Sequence, residues 1–240
     1  MAGIGGPVGH WITREMVIAF AVIFSIPFWI DAVGLYQYLG VEILIWMIYA
    51  LGFNLLLGYT GKPSFGHGAY FGIGAYAFGL AQQHVVVNVW IGIGIAILAA
   101  TLAGAMVATF ISHRRGIYFA LMTIAFGQVF WFTAVKWHAL TGGEDGLQNI
   151  PRPDVFSISL NDNAALFYLA FFFFVLVVIA LWRLIHSPFG KVIKAIKQNE
   201  MRAGFIGYNG RLFRCMVFTI SAGIAGLAGG VFAMARGSAC

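Results

Sequence analysis

Long apolar runs separated by short polar loops make up most of the chain. A helix that crosses about 30 Å of hydrocarbon at about 1.5 Å per residue needs roughly 20 mostly apolar residues. Two runs are irregular, because the first is short and contains Pro27 and the third is rich in glycine. The pattern predicts an all-α, polytopic transmembrane helical bundle with about seven spans: Met16–Ile30, Leu39–Leu57, Phe65–Gln82, Val89–Ile111, Ile117–Trp137, Ala164–Ile185 and Leu212–Met234.

The basic segment, residues 187–211, precedes the last apolar run. Glu200 is the lone acid in this segment, against five positive residues, and Arg214 just after it is a sixth: Lys191, Lys194, Lys197, Arg202, Arg211 and Arg214. Four apolar residues recur at the i, i+3, i+4 and i+7 spacing that lines one face of a helix: Phe189, Val192, Ile193 and Ile196. The basic segment therefore predicts an amphipathic helix outside the membrane that docks a partner protein.

The distribution of lysine and arginine among the loops predicts the orientation of the bundle. Short cytoplasmic loops of membrane proteins carry an excess of these residues. If the N-terminus is cytoplasmic, strict alternation also places Lys62, Arg114, Arg115 and the basic segment in the cytoplasm. The mainly acidic loop 138–163 then lies outside, and the opposite orientation reverses this segregation. We therefore expect a cytoplasmic N-terminus.

Composition supports a membrane protein and excludes a soluble domain. The chain is 61% hydrophobic and 9% charged, with a mean hydropathy of +0.88, whereas soluble domains are about 45–50% apolar. The net charge of +6 resides in loops between apolar runs, so topology explains it without a nucleic-acid partner. The expected surroundings are a lipid bilayer.

Residues 58–79 hold an unusual number of glycines for a helix. Each glycine costs a helix about 1 kcal/mol relative to alanine, so a compensating role is expected. One role is close helix packing, for which Gly68 and Gly72 form a GxxxG pair. Small residues recur in the last run, with Ala222, Gly226 and Gly230 on one stripe and Ala225 and Gly229 on the neighbouring stripe, and they predict the same kind of packing.

The second role for the glycine-rich region is a substrate pathway. Pro63 suits the first turn of a helix and Ser64 can cap one. Helix N-termini inside transporters attract anionic groups such as a substrate carboxylate. On this interpretation the stretch from Ser64 through Gly66 to His67 faces the translocation path near its cytoplasmic end.

Few polar side chains interrupt the predicted spans. The candidates for a role in transport are Asn54, His67, Thr123 and Gln128. Such residues either line a path or form hydrogen bonds between helices, and the sequence leaves both roles open. No second His, Cys or carboxylate stands at ligand spacing from His67, so no metal site is expected.

Enzymatic motifs are missing from the chain. Gly61-Lys62 is followed by Pro63 instead of Ser or Thr, so there is no phosphate-binding GxxxxGK[ST] loop. There is also no GxSxG turn for a nucleophilic serine and no intramembrane carboxylate pair for ion coupling. We expect no catalytic residue and no cofactor, and a transporter driven by a partner.

Four ordered motifs between about residues 54 and 233 resemble a known family. They are GYTGKPSFGHGAYFGIGAYA, RRGIYFALMTIAFGQ, TGGEDGL and SPFGKVIKAIKQNEMRAGFIGYNGRLFRCMVFTISAGIAGLAGGVFA. In this order they resemble the LivM-type permease of bacterial branched-chain amino acid ABC importers. The resemblance implies one membrane permease domain over residues 1–240 in the bacterial inner membrane. Relatives continue past the seventh span, so we expect a truncated or short form.

The resemblance also implies partners and site residues. The partners are a second homologous permease, two cytoplasmic ATPases and a periplasmic amino-acid-binding protein. The basic segment corresponds to the family's coupling loop, with Lys194, Ala195, Glu200, Arg202, Ala203 and Gly207 as its coupling residues. The expected pathway residues are Asn54, Gly61, Ser64, Gly66, His67, Thr123 and Gln128. The expected contacts for the binding protein are Gly142, Gly143, Glu144 and Asp145, although a glycine-rich turn alone would also explain this loop.

Three alternatives remain open at this level. Importers of urea or short amides have similar permease motifs, so the substrate class is an expectation from resemblance. A passive channel without an ATPase is the second alternative. The third is a scaffold subunit that packs helices without forming a pore.

Overall fold

The computed structural model describes residues 14–30, 34–85, 87–113, 116–151 and 163–239. Every regular element in these residues is a helix: α1 (Arg14–Trp29), α2 (Gln37–Thr60), α3 (Gly68–His84), α4 (Val89–Ile111), α5 (Ile117–Lys136), α6 (His138–Thr141), a 3-10 turn (Gly143–Asp145), α7 (Asn163–His186), α8 (Pro188–Gln198), α9 (Glu200–Phe205) and α10 (Gly210–Arg236). The prediction of an all-α architecture is confirmed. Arg114 and Arg115, used above for the orientation, lie outside the described residues.

Five described helices are long and apolar enough to cross a membrane. They are α4, α5, α7, α10 and the part of α2 from Tyr38 to Thr60. The other two predicted spans coincide with shorter helices, because α1 has 16 residues and α3 has 17. In the third span the helix begins at Gly68, and the residues before it form a turn.

Helix α10 lies at the centre of the bundle and packs against α2, α3 and α4. Its small residues allow this: a methyl group added at Gly226 would overlap the Ala100 side chain of α4, and one at Gly229 would overlap the Phe71 carbonyl of α3. Close backbone approach is the usual role of such residues in membrane helices. The predicted packing role of the small-residue stripe in the last run is confirmed.

Among the described residues, the GxxxG pair of α3 does not make the predicted close contact. A methyl group built at Gly72 meets nothing within 4 Å, and one at Gly68 meets only the Tyr49 hydroxyl at 4.0 Å. The close approach of α3 to α10 occurs instead at Gly74, where an added methyl would overlap the backbone of Gly226. Sequence spacing locates a small-residue face, but the crossing point of two helices depends on both partners.

The basic segment folds as two helices with polar caps. Ser187 accepts a hydrogen bond from the Gly190 amide at the start of α8, and Asn199 accepts one from the Arg202 amide at the start of α9. Val192 and Ile193 are buried and the lysines of α8 are exposed. The predicted amphipathic helix is confirmed, and the short α9 continues the segment beyond it.

Candidate functional site

A groove of about 530 Å³ lies between α3 and α5. It runs from Phe65 and Gly66, before α3, to Gly143 and Glu144, after α6. Its walls are mostly apolar, formed by residues such as Phe71, Ile124 and Trp131. The groove thus joins the turn between α2 and α3 to the loop that follows α6.

Two groups of residues predicted separately from the sequence meet in this groove. Gly66 and Gln128, predicted for the pathway, line it together with Gly143 and Glu144, predicted for the binding-protein contact. Gln128 is exposed on the surface of α5. A few polar groups in a largely apolar cleft are the usual arrangement of a site for a small ligand.

The turn before α3 is attached to α5 at one close contact. The Phe65 amide donates a hydrogen bond to the Thr123 hydroxyl at 3.1 Å, and that hydroxyl donates to the Ala120 carbonyl at 2.6 Å. A methyl group at Gly66 would overlap the Thr123 carbonyl and lie 3.4 Å from the Gly127 Cα. Thr123 therefore holds one end of the groove together from inside α5.

His67 and Ser64 are buried in helix packing and do not line the groove. The Ser221 hydroxyl of α10 donates to the Gly52 carbonyl of α2 at 2.5 Å and lies 3.3 Å from His67 Nε2. Since the hydroxyl has one proton, its oxygen accepts from Nε2–H, and Nδ1 is left as an acceptor with no hydrogen-bond partner among the described residues. His67 thereby connects α2, the start of α3 and α10.

Ser64 does not cap α3, which corrects the expectation from its position. In the part of the chain that the structure describes, its hydroxyl is buried without a hydrogen-bond partner, and the residue at the N-cap position is His67, whose side chain makes no capping bond. The turn from Phe65 to His67 separates Ser64 from the first helical amides, so its side chain stands one turn too early.

Replacing Ser221 with alanine is expected to destabilise the chain by about 1–3 kcal/mol, the usual cost of leaving a buried polar group unpaired. The change removes the partner of the buried His67 Nε2 and the bond to the Gly52 carbonyl. Thermal unfolding in detergent measures the effect. Ser25→Ala is the matched control, because the half-buried Ser25 hydroxyl bonds to Val22 and Trp29 of its own helix in the described structure. Equal unfolding temperatures for the two variants would contradict the prediction.

Asn54 and Gly61 lie apart from the groove, on α2 and at its end. Asn54 is exposed, and its side-chain oxygen covers Gly58 one turn further along the helix. Gly61 ends α2 with a left-handed φ of 67° and packs under the Lys197 side chain. The structure therefore places Gly61 beside the basic segment.

The loop after α6 is held in one shape by hydrogen bonds and by glycine. The Thr141 hydroxyl contacts the Ala134 carbonyl at 2.5 Å and the Trp137 carbonyl at 2.9 Å. Gly142 and Gly143 have φ of 77° and 69°, a region that favours glycine. Glu144 and Asp145 are exposed at the tip.

The basic segment lies at the end of the bundle where α2 and α4 end. Lys197 Nζ donates to the Gly58 carbonyl at 2.7 Å, and Lys194 Nζ lies 5.5 Å from the centre of the Tyr59 ring. Ala203 is buried, whereas Ala195, Arg202 and Gly207 are exposed. Three large apolar side chains of α9 and the next residue also face outward: Met201, Phe205 and Ile206.

Arg214 and Ser112 complete this end of the molecule and were not singled out as site residues from the sequence. The Arg214 guanidinium forms an ion pair with Glu200 and donates twice to the Ser112 carbonyl, at 3.0 and 2.8 Å. A signal was available, because Arg214 is a charged residue inside the last apolar run. Its partner Ser112 lies 102 residues away, and no local pattern connects the two.

Comparisons with known proteins agree on one family. Residues 35–240 match the family described as the permease component of branched-chain amino acid transport systems. Among curated proteins, the chain is similar to the high-affinity branched-chain amino acid transport system permease protein LivM of Escherichia coli (strain K12). The two are 29% identical over 217 residues, which cover 81% of this chain and 51% of the relative.

Two further curated relatives are also named as LivM permease proteins of branched-chain amino acid transport. LivM of Salmonella typhimurium is 28% identical over 217 residues, covering 81% of this chain and 51% of the relative. A probable branched-chain amino acid transport permease protein LivM of Methanocaldococcus jannaschii is 25% identical over 231 residues, covering 80% of this chain and 66% of the relative. No solved structure shows significant similarity.

The chain spans about half the length of the first two curated relatives, because the match covers 51% of each of them. The family match, in contrast, extends from residue 35 to residue 240 and includes the groove, the loop after α6 and the basic segment. Five of the described helices are long and apolar enough to span a membrane, and this chain belongs to the family of permease components of branched-chain amino acid transport systems.

Proposed function

We propose that this chain is a transmembrane permease subunit of an ATP-binding cassette importer for branched-chain amino acids. The observation that carries the proposal is the groove between α3 and α5, with Gln128 exposed on its wall. Polar side chains within membrane spans are unfavourable towards lipid and usually face a pathway or another protein. The names of the relatives supply the substrate class.

The lining of the groove suits a small amino acid with an aliphatic side chain. Apolar walls such as Ile124 and Phe71 can contact the side chain. Gln128 and the backbone at Gly66 can bind the polar end. The remaining pathway candidates do not line the groove. Thr123 and His67 hold the turn that carries Gly66, and Ser64 is buried just before that turn. Asn54 lies on α2, and Gly61 at its end, beside the basic segment.

We assign seven spans and a cytoplasmic N-terminus to this permease. Helices α1 and α3 supply the two spans that are shorter than the other five. The packing supports this alternation of the loops between the two sides of the membrane. At one end of the bundle, the basic segment meets the ends of α2 and α4. Glu144 stands at the other end of the groove, as expected for an outer loop that contacts a periplasmic amino-acid-binding protein together with Gly142, Gly143 and Asp145.

The basic segment, residues 187–211, is the proposed coupling loop for two cytoplasmic ATPases. Its exposed surface combines positive charge at Lys194 and Arg202 with apolar side chains at Phe205 and Ile206. Ala195 adds a small exposed position on α8, and Gly207, two residues after the end of α9, has a φ of 97°. Such a surface suits insertion into a cleft of a soluble partner. ATP hydrolysis belongs to those partners, and a second homologous permease completes the membrane unit.

Cells that carry the complete importer are expected to lose accumulation of labelled leucine when this chain is deleted, and to regain it when the chain is restored. Uptake of labelled leucine, urea and glutamate is measured in parallel. The double variant Glu200→Ala and Arg202→Ala is expected to insert into the membrane without supporting accumulation, because it removes two proposed coupling residues. Loss of urea uptake alone would assign the chain to the amide importers, and conduction by the double variant would indicate a passive channel.

A further inference from the structure

The Arg214 side chain joins three helices in one buried contact. It lies in the first turns of α10, at 7% relative exposure. Its Nη1 group pairs with Glu200, the first residue of α9, and its Nε and Nη2 groups both donate to the carbonyl of Ser112, which ends α4. All three nitrogens of the guanidinium therefore donate to protein partners.

The electrostatics of this contact favour a fixed geometry. The last carbonyls of a helix have no partner inside the helix and carry partial negative charge. A guanidinium at the end of α4 satisfies one of them, and Arg211 adds a second bond there, from Nε to the Ser112 hydroxyl at 3.2 Å. Because arginine presents several donors in a rigid plane, it can hold two partners at a fixed angle, which a lysine cannot do.

The contact leads from the coupling loop to one wall of the groove. Helix α10 touches α4 where Gly226 faces Ala100, and it touches α3 where Gly229 faces the Phe71 carbonyl. Phe71 also lines the groove. Helix α10 therefore packs directly against the helix that forms one wall of the groove.

We propose that Arg214 is a positioning residue that transmits the displacement of the coupling loop through α10 to the α3 wall of the groove. The inference rests on the proposed function, because it needs an ATPase that moves α9. Tightly packed elements move as rigid bodies, and a fixed link between α9 and α10 is what such transmission requires. Without the link, α9 follows the ATPase while α10 and α3 stay behind.

The test uses the complete transporter, purified and reconstituted in liposomes with its ATPases and binding protein. It measures labelled leucine taken up per ATP hydrolysed, a ratio that a loss of folded complex does not change. For Arg214→Gln the ratio is expected to fall about tenfold, within the range typical of coupling between two sites, while ATP hydrolysis continues. Arg236→Gln is the matched control, since Arg236 is an exposed arginine at the opposite end of the same helix.

Arg214→Lys keeps the charge and separates the proposal from a purely structural role. It is expected to assemble and still show a reduced ratio, because lysine cannot hold Glu200 and Ser112 in one plane. If Arg214→Gln does not assemble, Arg214→Lys decides: a wild-type ratio overturns the proposal. A wild-type ratio for Arg214→Gln overturns it equally. A wild-type complex that takes up no branched-chain amino acid would overturn the proposed function itself. The variants test only the role of Arg214.

Discussion

Replacing Gly66 with valine is expected to abolish substrate uptake while the chain still inserts into the membrane. A side chain at this position would overlap the Thr123 carbonyl of α5 and crowd the Gly127 Cα at 3.4 Å. Both obstacles are backbone atoms, which cannot rotate away. The turn before α3 would have to move off α5, which breaks the hydrogen bond from the Phe65 amide to Thr123 and distorts the groove at its end. Uptake of labelled leucine and the amount of chain in the membrane fraction are measured together.

Gly94→Val is the control for the Gly66 experiment. Gly94 is a helical glycine of α4, and a methyl group built there meets nothing within 4 Å. This variant carries the same loss of backbone freedom without the overlap, so near-normal uptake is expected. Normal uptake by the Gly66 variant at wild-type membrane levels would show that the contact with α5 is dispensable for transport.

Replacing Gly226 with valine is expected to cause a large loss of stability. Overpacking a well-filled interior usually costs about 1–3 kcal/mol, and here the added side chain would overlap α4. A side chain at Gly226 would meet the Ala100 side chain and, at 2.9 Å, the Ala96 carbonyl of α4. The backbone of the same residue lies against Gly74 of α3, so α10 has no free side towards which it can shift.

Thermal unfolding in detergent and elution as a single species on size exclusion measure this effect. Gly226→Ala is expected to fall between the wild type and the valine variant, because one methyl group already overlaps Ala100. Gly94→Val again reports the cost of replacing a helical glycine in open space. An unfolding temperature for Gly226→Val equal to that of Gly94→Val would mean that α10 and α4 are not in close contact in the folded protein.

The basic segment was predictable because its information is local. The spacing of Val192 and Ile193 gives a helical face, and both side chains are buried as that spacing requires. Ser187, Asn199 and Asn209 stand at the N-caps of α8, α9 and α10 and accept backbone amide hydrogens there. Caps and periodicity act over three or four residues, so they can be read from the chain alone.

The candidate site was only partly predictable for the opposite reason. The sequence singled out Gly66, Gln128 and Glu144, but nothing in it indicated that they share a groove. His67 and Ser64 had the same polar character and proved to be buried in packing. Whether a polar residue on a helix faces a path or a neighbour depends on which helix lies beside it.

By itself the sequence determined the helical class, the apolar runs, the amphipathic basic segment and the family, because each depends on residue type and short-range spacing. The tertiary structure decided which glycines touch the backbone of another helix. Gly66 lies against α5 and Gly74 against α10, whereas Gly72 faces open space in the described structure. It also decided that Arg214 meets Ser112 and that Ser221 meets His67, across 102 and 154 residues. These pairings depend on where helices cross, and crossing points follow from the fit of two whole surfaces.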